Sequence, residues 1–114
     1  MKYIISGKVI KGNGYGRKLG FPTMNLETVE TNLPPAGVYS GNATIENKNY
    51  RAGILINPQT ENKRKVEAHL IRWSGDAYGK IVTLETEKFL RKYKKFEIEE
   101  ELIKQIEKDL QACE

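Results

Sequence analysis

The sequence predicts a mainly β fold, a small closed antiparallel β-barrel followed by one C-terminal amphipathic α-helix. Short runs rich in β-branched and aromatic residues alternate with glycine-containing turns along most of the chain. The final segment changes to the spacing of a helix. A length of 114 residues suffices for one core but not for a second module, so residues 1–114 are predicted to form a single domain.

The first half of the chain is predicted to contain three strands and a glycine-rich loop. Residues 3–10 favour a strand and lead into GNGYGRKLG, where four glycines among nine residues oppose regular structure. After the segment PTMN, a polar connection and a double proline precede GVYSGNATI, which alternates as a strand does. A hairpin turn is expected at residues 47–49, with the return strand over residues 50–56.

The second half is predicted to add two strands and the helix. NPQTENKRK has the composition of a hairpin connection, and VEAHLIRW then alternates, which puts Glu67, His69 and Ile71 on one face. SGDAYG is a turn, and KIVTLETEKFL is a further strand. From about residue 97 the apolar residues follow helical spacing, and acidic residues occupy the first turn. The apolar positions are Ile98, Leu102, Ile106 and Leu110, with Ile103 beside them.

The composition is that of a globular protein outside the membrane. Hydrophobic residues make up 39% of the chain and charged residues 30%, which is far from a disordered composition. Cys113 is the single cysteine, which excludes an intrachain disulfide and a cysteine-based metal cluster. Neither a signal peptide nor a run long enough to cross a bilayer is visible. We therefore expect a cytoplasmic monomer with no membrane partner.

The charge is mildly basic and unevenly distributed. Nineteen basic and fifteen acidic residues give a formal net charge of +4, with clusters at residues 63–65 and 91–95. These clusters are compatible with an anionic ligand or, alternatively, with solvated turns. A nucleotide carries enough negative charge to account for so small an excess, and a nucleic acid is not expected as a partner.

The segment that begins with the glycine-rich loop is the first candidate for phosphate binding. Glycines allow backbone N–H groups to approach phosphate oxygens, and Arg17 and Lys18 would add charge, although a plain flexible loop is an equally simple interpretation. The loop lacks the Lys-Ser/Thr ending of a P-loop. In an extended chain the Thr23 hydroxyl and the Asn25 amide point to the same side, and their oxygens are suited to Mg²⁺. The alternative interpretation is a capped turn.

Five motifs occur in a characteristic order: GKVIKGNGYGRKLGFPTMN, LPPAGVY, VEAHL, AYG and LRKYKKF. In this order and spacing they resemble the riboflavin kinase family over nearly the whole chain. PTMN corresponds to the PTAN signature of that family. The resemblance implies an enzyme that transfers the γ-phosphate of ATP to the 5′-hydroxyl of riboflavin, with Mg²⁺ as cofactor and with FMN and ADP as products.

The resemblance also implies roles for individual residues. Glu67 matches the catalytic carboxylate, which activates the riboflavin hydroxyl, and Thr23 and Asn25 match the ligands of Mg²⁺ and the phosphates. The implied nucleotide-binding residues are Gly12, Arg17, Thr23, Leu70, Arg72 and Tyr78. The implied flavin-binding residues are Arg91, Lys94 and Phe96.

The residues themselves leave some of these roles open. A strand-face carboxylate such as Glu67 can act as a base, but it can equally form a salt bridge with a neighbour such as Arg72. His69 is the only histidine and is expected to serve packing or hydrogen bonding rather than metal binding. Trp73 and the tyrosines can stack on a ring, but large aromatic residues usually belong to the core.

Three positions depart from the family pattern. Met24 replaces the alanine of PTAN, Tyr93 stands where a glutamate is usual, and NPQTEN lacks an aromatic residue. They motivate an alternative function, a flavin- or nucleotide-binding module with weak or lost kinase activity. A basic nucleic-acid-binding barrel is a third, less favoured interpretation. Many bacterial relatives carry an N-terminal adenylyltransferase module, for which this chain has no room, so FAD synthesis is not expected.

Overall fold

Six strands form a closed antiparallel barrel, and one helix follows them. The computed structural model describes residues 2–10, 23–27, 33–58, 66–73, 75–94 and 96–113. Around the barrel the strands run in the order β1-β2-β5-β4-β3-β6, and β6 pairs with β1 to close it. The elements are β1 (Ile4–Ile10), β2 (Met24–Glu27), β3 (Gly37–Ile45), β4 (Lys48–Ile56), β5 (Val66–Leu70), β6 (Ile81–Arg91) and α1 (Glu99–Cys113). The predicted barrel with a C-terminal helix is therefore confirmed.

The barrel is filled by the inward-facing side chains of all six strands. In β5, Val66, Ala68 and Leu70 are buried, whereas Glu67 and His69 are only half-buried, as the alternation predicts. Burial of each large aliphatic side chain contributes about 1.5–3 kcal/mol. The core contains Ile5, Val9, Met24, Leu26, Tyr39, Ala43, Ile45, Ala52, Ile54, Ile56, Val66, Ala68, Leu70, Ala77, Val82 and Leu84.

The turn between β3 and β4 lies one residue earlier than the sequence predicted. Glu46 and Asn47 form it, with φ values of 50° and 65°, and Ile45 pairs directly with Lys48. A two-residue turn with both φ values positive matches the right-handed twist of the strands. Asparagine tolerates this conformation well, but glutamate gives no such signal, and the prediction of residues 47–49 was therefore displaced.

Helix α1 lies against the outside of the β3–β4 hairpin. The helix packs beside Gly53 of β4, where a Cβ would lie 3.5 Å from both Cys113 Sγ and a Leu110 methyl group, an ordinary van der Waals distance. Arg51 Nε donates a hydrogen bond of 2.9 Å to the Cys113 carbonyl oxygen, which supplies a positive group at the carboxyl end of the helix. Ile98 lies outside the helix and is 55% exposed, although the spacing grouped it with the helical positions.

Because Cys113 is buried, the stability of the protein is expected to change with pH in the alkaline range. Burial, reinforced by the Asp109 carboxylate and opposed by Arg51, raises the pKa of the Cys113 thiol from 9.0 to about 11. The folded state therefore holds this proton more tightly than the unfolded state. The stabilisation that results from this difference in proton affinity is complete below pH 9 and is lost as the pH rises towards 11. We expect the free energy of unfolding to fall over that interval.

The measurement is urea denaturation at a series of pH values for the wild type and for Cys113→Ser, whose hydroxyl does not ionise there. Other groups titrate in this range in both proteins, so the difference between the two curves isolates the thiol. Parallel curves would contradict the prediction.

Across the part of the chain that the structure describes, no helix combines the length and apolar character needed to span a membrane.

Candidate functional site

The carboxylate of Glu67 is held between two neighbouring strands on the outer face of the barrel. Glu67 is the register partner of Asn25 in β2 and of Leu55 in β4. Thr23 Oγ1 donates to Oε1 of Glu67 at 3.3 Å, and Asn57 Nδ2 donates to Oε2 at 2.9 Å. Each carboxylate oxygen therefore accepts a hydrogen bond from a different side. Within the described residues, Glu67 forms no salt bridge with Arg72, the alternative that the sequence left open.

Strand alternation explains why the PTMN segment contributes to this cluster. Thr23 and Asn25 face outward beside Glu67, whereas Met24 is 7% exposed and faces the interior. The structure thus brings together the predicted catalytic residue and both predicted metal ligands. The extra bulk of Met24, relative to the alanine of the family signature, extends away from the Thr23 and Asn25 side chains.

A cavity of about 220 Å³ opens at the end of the barrel next to this cluster. Thr23 lines it and also bonds Glu67, so the cavity and the carboxylate are adjacent. The lining residues are Val9, Thr23, Met24, His69, Leu70, Trp73, Gly75, Asp76, Ala77 and Tyr78. Three of the predicted nucleotide-binding residues, Thr23, Leu70 and Tyr78, are therefore gathered around one cavity.

The remaining nucleotide predictions lie elsewhere. Arg72 is outside the cavity lining, in the exposed turn that follows β5, where its φ of 63° ends the strand earlier than VEAHLIRW suggested. Gly12 and Arg17 lie outside the described residues.

The cavity lining combines aromatic and polar side chains. Trp73 and Tyr78 provide aromatic surface, and Tyr78 remains 46% exposed. Asp76 lies between them in sequence and accepts a hydrogen bond of 3.0 Å from the Tyr78 backbone N–H through Oδ1. Thr23 contributes a hydroxyl group, which donates to Glu67. The cavity therefore offers aromatic surface to a planar ring and polar groups to the rest of a ligand.

The three predicted flavin-binding residues form a second cluster after β6. The Arg91 guanidinium carbon lies 5.8 Å from the centroid of the Phe96 ring, and Lys94 Nζ lies 5.0 Å from it. Arg91 is also paired with Asp109 of α1, since its Nε and Nη2 donate to the carboxylate at 2.9–3.2 Å. The side chains of this pair are only 22% and 12% exposed. The helix thereby fixes the direction of the Arg91 side chain.

One row of register partners connects the two clusters around the barrel. The row consists of the successive partners Arg91, Val38, Leu55, Glu67 and Asn25. Three interstrand spacings separate Arg91 from Glu67, a path of roughly 14 Å between their Cα atoms. The register of the strands therefore fixes the separation of the two clusters along the barrel wall.

The donor set beside Glu67 fits a magnesium ion that is completed by a substrate. No group of three or more histidine, cysteine or acidic residues that could hold a metal occurs within the described ranges. Thr23 and Asn25 offer two neutral oxygens on one face. Mg²⁺ is commonly bound through one or two protein ligands, with water and substrate phosphates supplying the other positions.

Sequence reasoning missed two residues of these clusters, Asn57 and Asp109. Asn57 was assigned only to a hairpin connection, and Asp109 was given no role. Asn57 carries a local signal, because Pro58 follows it and favours an extended backbone. His69 and Trp73 line the cavity, although packing or core roles were expected for them.

The sequence and the fold are similar to those of known proteins. The protein-family model described as riboflavin kinase, or flavokinase, matches residues 1–114. A bifunctional riboflavin kinase/FMN adenylyltransferase from Bacillus subtilis is 35% identical over 118 residues, which cover 97% of this chain but 37% of that protein. The riboflavin kinase from Homo sapiens is 33% identical over 123 residues, covering 99% of this chain and 79% of that protein.

Two solved structures share the fold. A crystal structure described as a macrolide-efflux protein from Streptococcus pneumoniae superposes with a TM-score of 0.90 and 27% identity, over 96% of this chain and 38% of that one. The riboflavin kinase from Trypanosoma brucei superposes with a TM-score of 0.76 and 22% identity, over 98% of this chain and 77% of that one. From the match of the whole sequence to its model and from the human relative, the chain belongs to the riboflavin kinase family.

Proposed function

We propose that the chain transfers the γ-phosphate of ATP to the 5′-hydroxyl of riboflavin, giving FMN and ADP. The observation that carries the proposal is the position of Glu67. Its carboxylate accepts a hydrogen bond from Thr23, which lines the cavity, and Glu67 belongs to the row of register partners that ends at Arg91. The proposed base is therefore next to the proposed nucleotide site and in the row that leads to the proposed flavin site. The family and the names of its relatives supply the identity of the two substrates.

In the proposed reaction Glu67 accepts the proton of the riboflavin 5′-hydroxyl. The hydroxyl oxygen forms a bond to the γ-phosphorus as the bond to the β,γ-bridging oxygen breaks, and ADP leaves with that electron pair. General base catalysis of this kind contributes about 10²–10⁴-fold. The larger part of the acceleration comes from in-line positioning and from neutralisation of the phosphoryl charge.

We propose that ATP binds with its base against Trp73 and Tyr78 and its phosphates beside Thr23. The aromatic surface of Trp73 and Tyr78 supports the position of the base, and the proposed metal ligand Thr23 supports that of the phosphates. Leu70 would contact the nucleoside from the interior of the barrel. Roles for Gly12, Arg17 and Arg72 in nucleotide binding remain predictions from the sequence.

Thr23 and Asn25 are the proposed ligands of Mg²⁺. When bound, the ion supplies positive charge that offsets the negative charge of the phosphates. The proposal is supported by the two outward-facing oxygen donors beside Glu67, which is the number of protein ligands that a magnesium–nucleotide complex commonly uses.

Riboflavin is proposed to bind with its ring system at Phe96 and its ribityl chain directed to Glu67. Lys94, whose Nζ lies 5.0 Å from the centroid of the Phe96 ring, is proposed to contact the flavin ring. Because Arg91 is committed to Asp109, its proposed contribution is to hold the Phe96 side of the site and to offer its remaining N–H groups.

Phe96→Ala is predicted to raise the KM for riboflavin while leaving the KM for ATP unchanged. Loss of ring stacking weakens flavin binding by about 1–2 kcal/mol, or about 5- to 30-fold. Steady-state kinetics with each substrate varied in turn would measure the change. Ile98→Ala is the matched control, since Ile98 lies two residues away and is 55% exposed. Equal effects on both KM values would contradict a flavin-specific role.

The test of the proposed function is FMN formation from riboflavin, ATP and Mg²⁺, followed by chromatography. Turnover that requires the metal supports the proposal. Binding of flavin without any FMN formation would support the alternative of a binding module instead. Failure to bind either flavin or nucleotide would rule out both.

Cytoplasmic location, a monomeric state and the lack of a nucleic-acid partner are also proposals. The chain spans 37% of the length of the Bacillus subtilis relative, so the activities and partners of a longer protein are not carried over. The mild net charge of +4 supports a nucleotide rather than a nucleic acid as the anionic partner. Sedimentation and a salt-dependent RNA-binding assay would test the last two points.

A further inference from the structure

We infer that Asn57 is a positioning residue that anchors one oxygen of the Glu67 carboxylate and leaves the other to accept the substrate proton. The inference rests on the proposed function and assigns a role to a residue outside the predicted site. Its basis is the pair of hydrogen bonds that reach Glu67 from opposite sides, 2.9 Å from Asn57 and 3.3 Å from Thr23.

The backbone directs Asn57 towards Glu67. Leu55 is the register partner of Glu67, and Asn57 lies two residues further along the same face of the chain, in a diagonal position. The diagonal distance is within the combined reach of the two side chains. Pro58 follows directly and restricts Asn57 to an extended conformation, so its side chain keeps the direction set by β4 although the strand ends at Ile56.

The two hydrogen bonds differ in strength. The bond from Asn57 is short and partly buried, whereas the bond from Thr23 is longer and exposed. Bonds to an ionised acceptor are the stronger ones when they are short and shielded from water. The amide must present its N–H₂ group to the carboxylate, because its oxygen would face a second acceptor. Asn57 therefore holds Oε2 firmly, and Thr23 can leave Oε1 at low cost.

This difference assigns separate tasks to the two oxygens of Glu67. When Thr23 turns to the phosphate side, Oε1 becomes available to the 5′-hydroxyl of riboflavin. The hydroxyl proton passes to Oε1 as the oxygen–phosphorus bond forms and ADP departs, and the proton is later released to water. During this step Oε2 remains bonded to Asn57, which keeps the orientation of the carboxylate fixed while its charge changes.

The first test compares Asn57→Ala with Asn49→Ala. Asn49 is the matched control, since it is an exposed asparagine on the same strand, bonded to Thr44 away from the cluster. Asn57→Ala is expected to lower kcat for FMN formation by about 10- to 100-fold, the loss expected for a hydrogen bond to a charged group. The KM for ATP should stay that of the wild type. A fall in kcat that is matched by Asn49→Ala, or a change in KM alone, would overturn the inference.

The second test asks whether Asn57 acts through Glu67. In a Glu67→Gln background, which removes the base, Asn57→Ala is expected to cause no further loss of the residual turnover. A general structural role would instead reduce turnover by the same factor in both backgrounds. Equal factors would therefore overturn the inference.

A measurement that does not depend on enzymatic activity distinguishes a loss of function from poor folding of the variants. Urea denaturation of the wild type, Asn57→Ala, Glu67→Ala and their double variant gives the coupling between Asn57 and Glu67 in the folded state, because alanine at position 67 removes the hydrogen-bond acceptor. A favourable coupling is expected, and zero coupling would overturn the inference. Absence of FMN formation by the wild type would overturn the proposed function as well, whereas an active wild type with equal factors in both backgrounds overturns only the role of Asn57.

Discussion

Glu67→Gln is expected to lower kcat for FMN formation by about 10²–10⁴-fold, the range for loss of a general base. The substitution preserves the size of the side chain, and its amide oxygen can still accept a hydrogen bond from Asn57 or Thr23. What it removes is the ability to take up the proton of the substrate hydroxyl. Binding of the magnesium–nucleotide complex should therefore remain close to that of the wild type, as measured by calorimetry.

Glu27→Gln provides a control for charge alone. Glu27 is an exposed carboxylate on the outer face of β2, the strand next to Glu67, and it pairs in register with Lys8. Its substitution should leave kcat unchanged. If Glu67→Gln retained wild-type turnover, Glu67 would not be the base, and its hydrogen bonds to Thr23 and Asn57 would have a structural role only.

Gly41→Ala is expected to have the largest effect on stability among glycine-to-alanine substitutions in the strands that the structure describes. A Cβ at position 41 would lie 2.0 Å from the backbone oxygen of Glu85 and 3.0 Å from a methyl group of Ile54. The oxygen belongs to β6, which pairs with β3 at this point, so relief requires separation of two backbones at a β-bulge. Overpacking of this kind costs about 3 kcal/mol or more. Urea denaturation would measure the loss.

Gly53→Ala is the matched control in the neighbouring strand. The new methyl group would meet Cys113 Sγ and Leu110 at 3.5 Å, an ordinary van der Waals distance. It should leave stability near the wild-type value or increase it slightly, because alanine restricts the unfolded chain. Comparable losses for the two variants would contradict the role of the close approach of β6, because a Cβ at position 53 has no such contact.

The barrel could be predicted from the sequence because its strands alternate regularly. In β5 each second residue is apolar and buried, and the same holds for the inward positions of β3. The short strand β2 was not recognised, since four residues after a proline carry too little pattern. The end of β5 was placed too late because Arg72 adopts a left-handed conformation, which an arginine in the sequence does not indicate.

The site was predictable only in part, because several of its contacts join residues that are far apart in the sequence. Thr23, Asn25 and Glu67 were identified through short motifs, and the β2–β5 register brings them together. The bond between Asn57 and Glu67 depends on the register of β4 and β5. This register cannot be predicted from the length of the connection between the two strands by any local rule. The pairing of Arg91 with Asp109 depends on where the helix is laid against the barrel.

The row of register partners from Arg91 to Glu67 has a consequence for substrate choice. Its length is set by three interstrand spacings, roughly 14 Å along the barrel wall, and movements of side chains alter it little. In the proposed binding mode this length limits how far the reactive alcohol can lie from the ring of the ligand. We therefore expect analogues with a shortened or lengthened polyol chain to bind at the ring but to present no hydroxyl to the carboxylate.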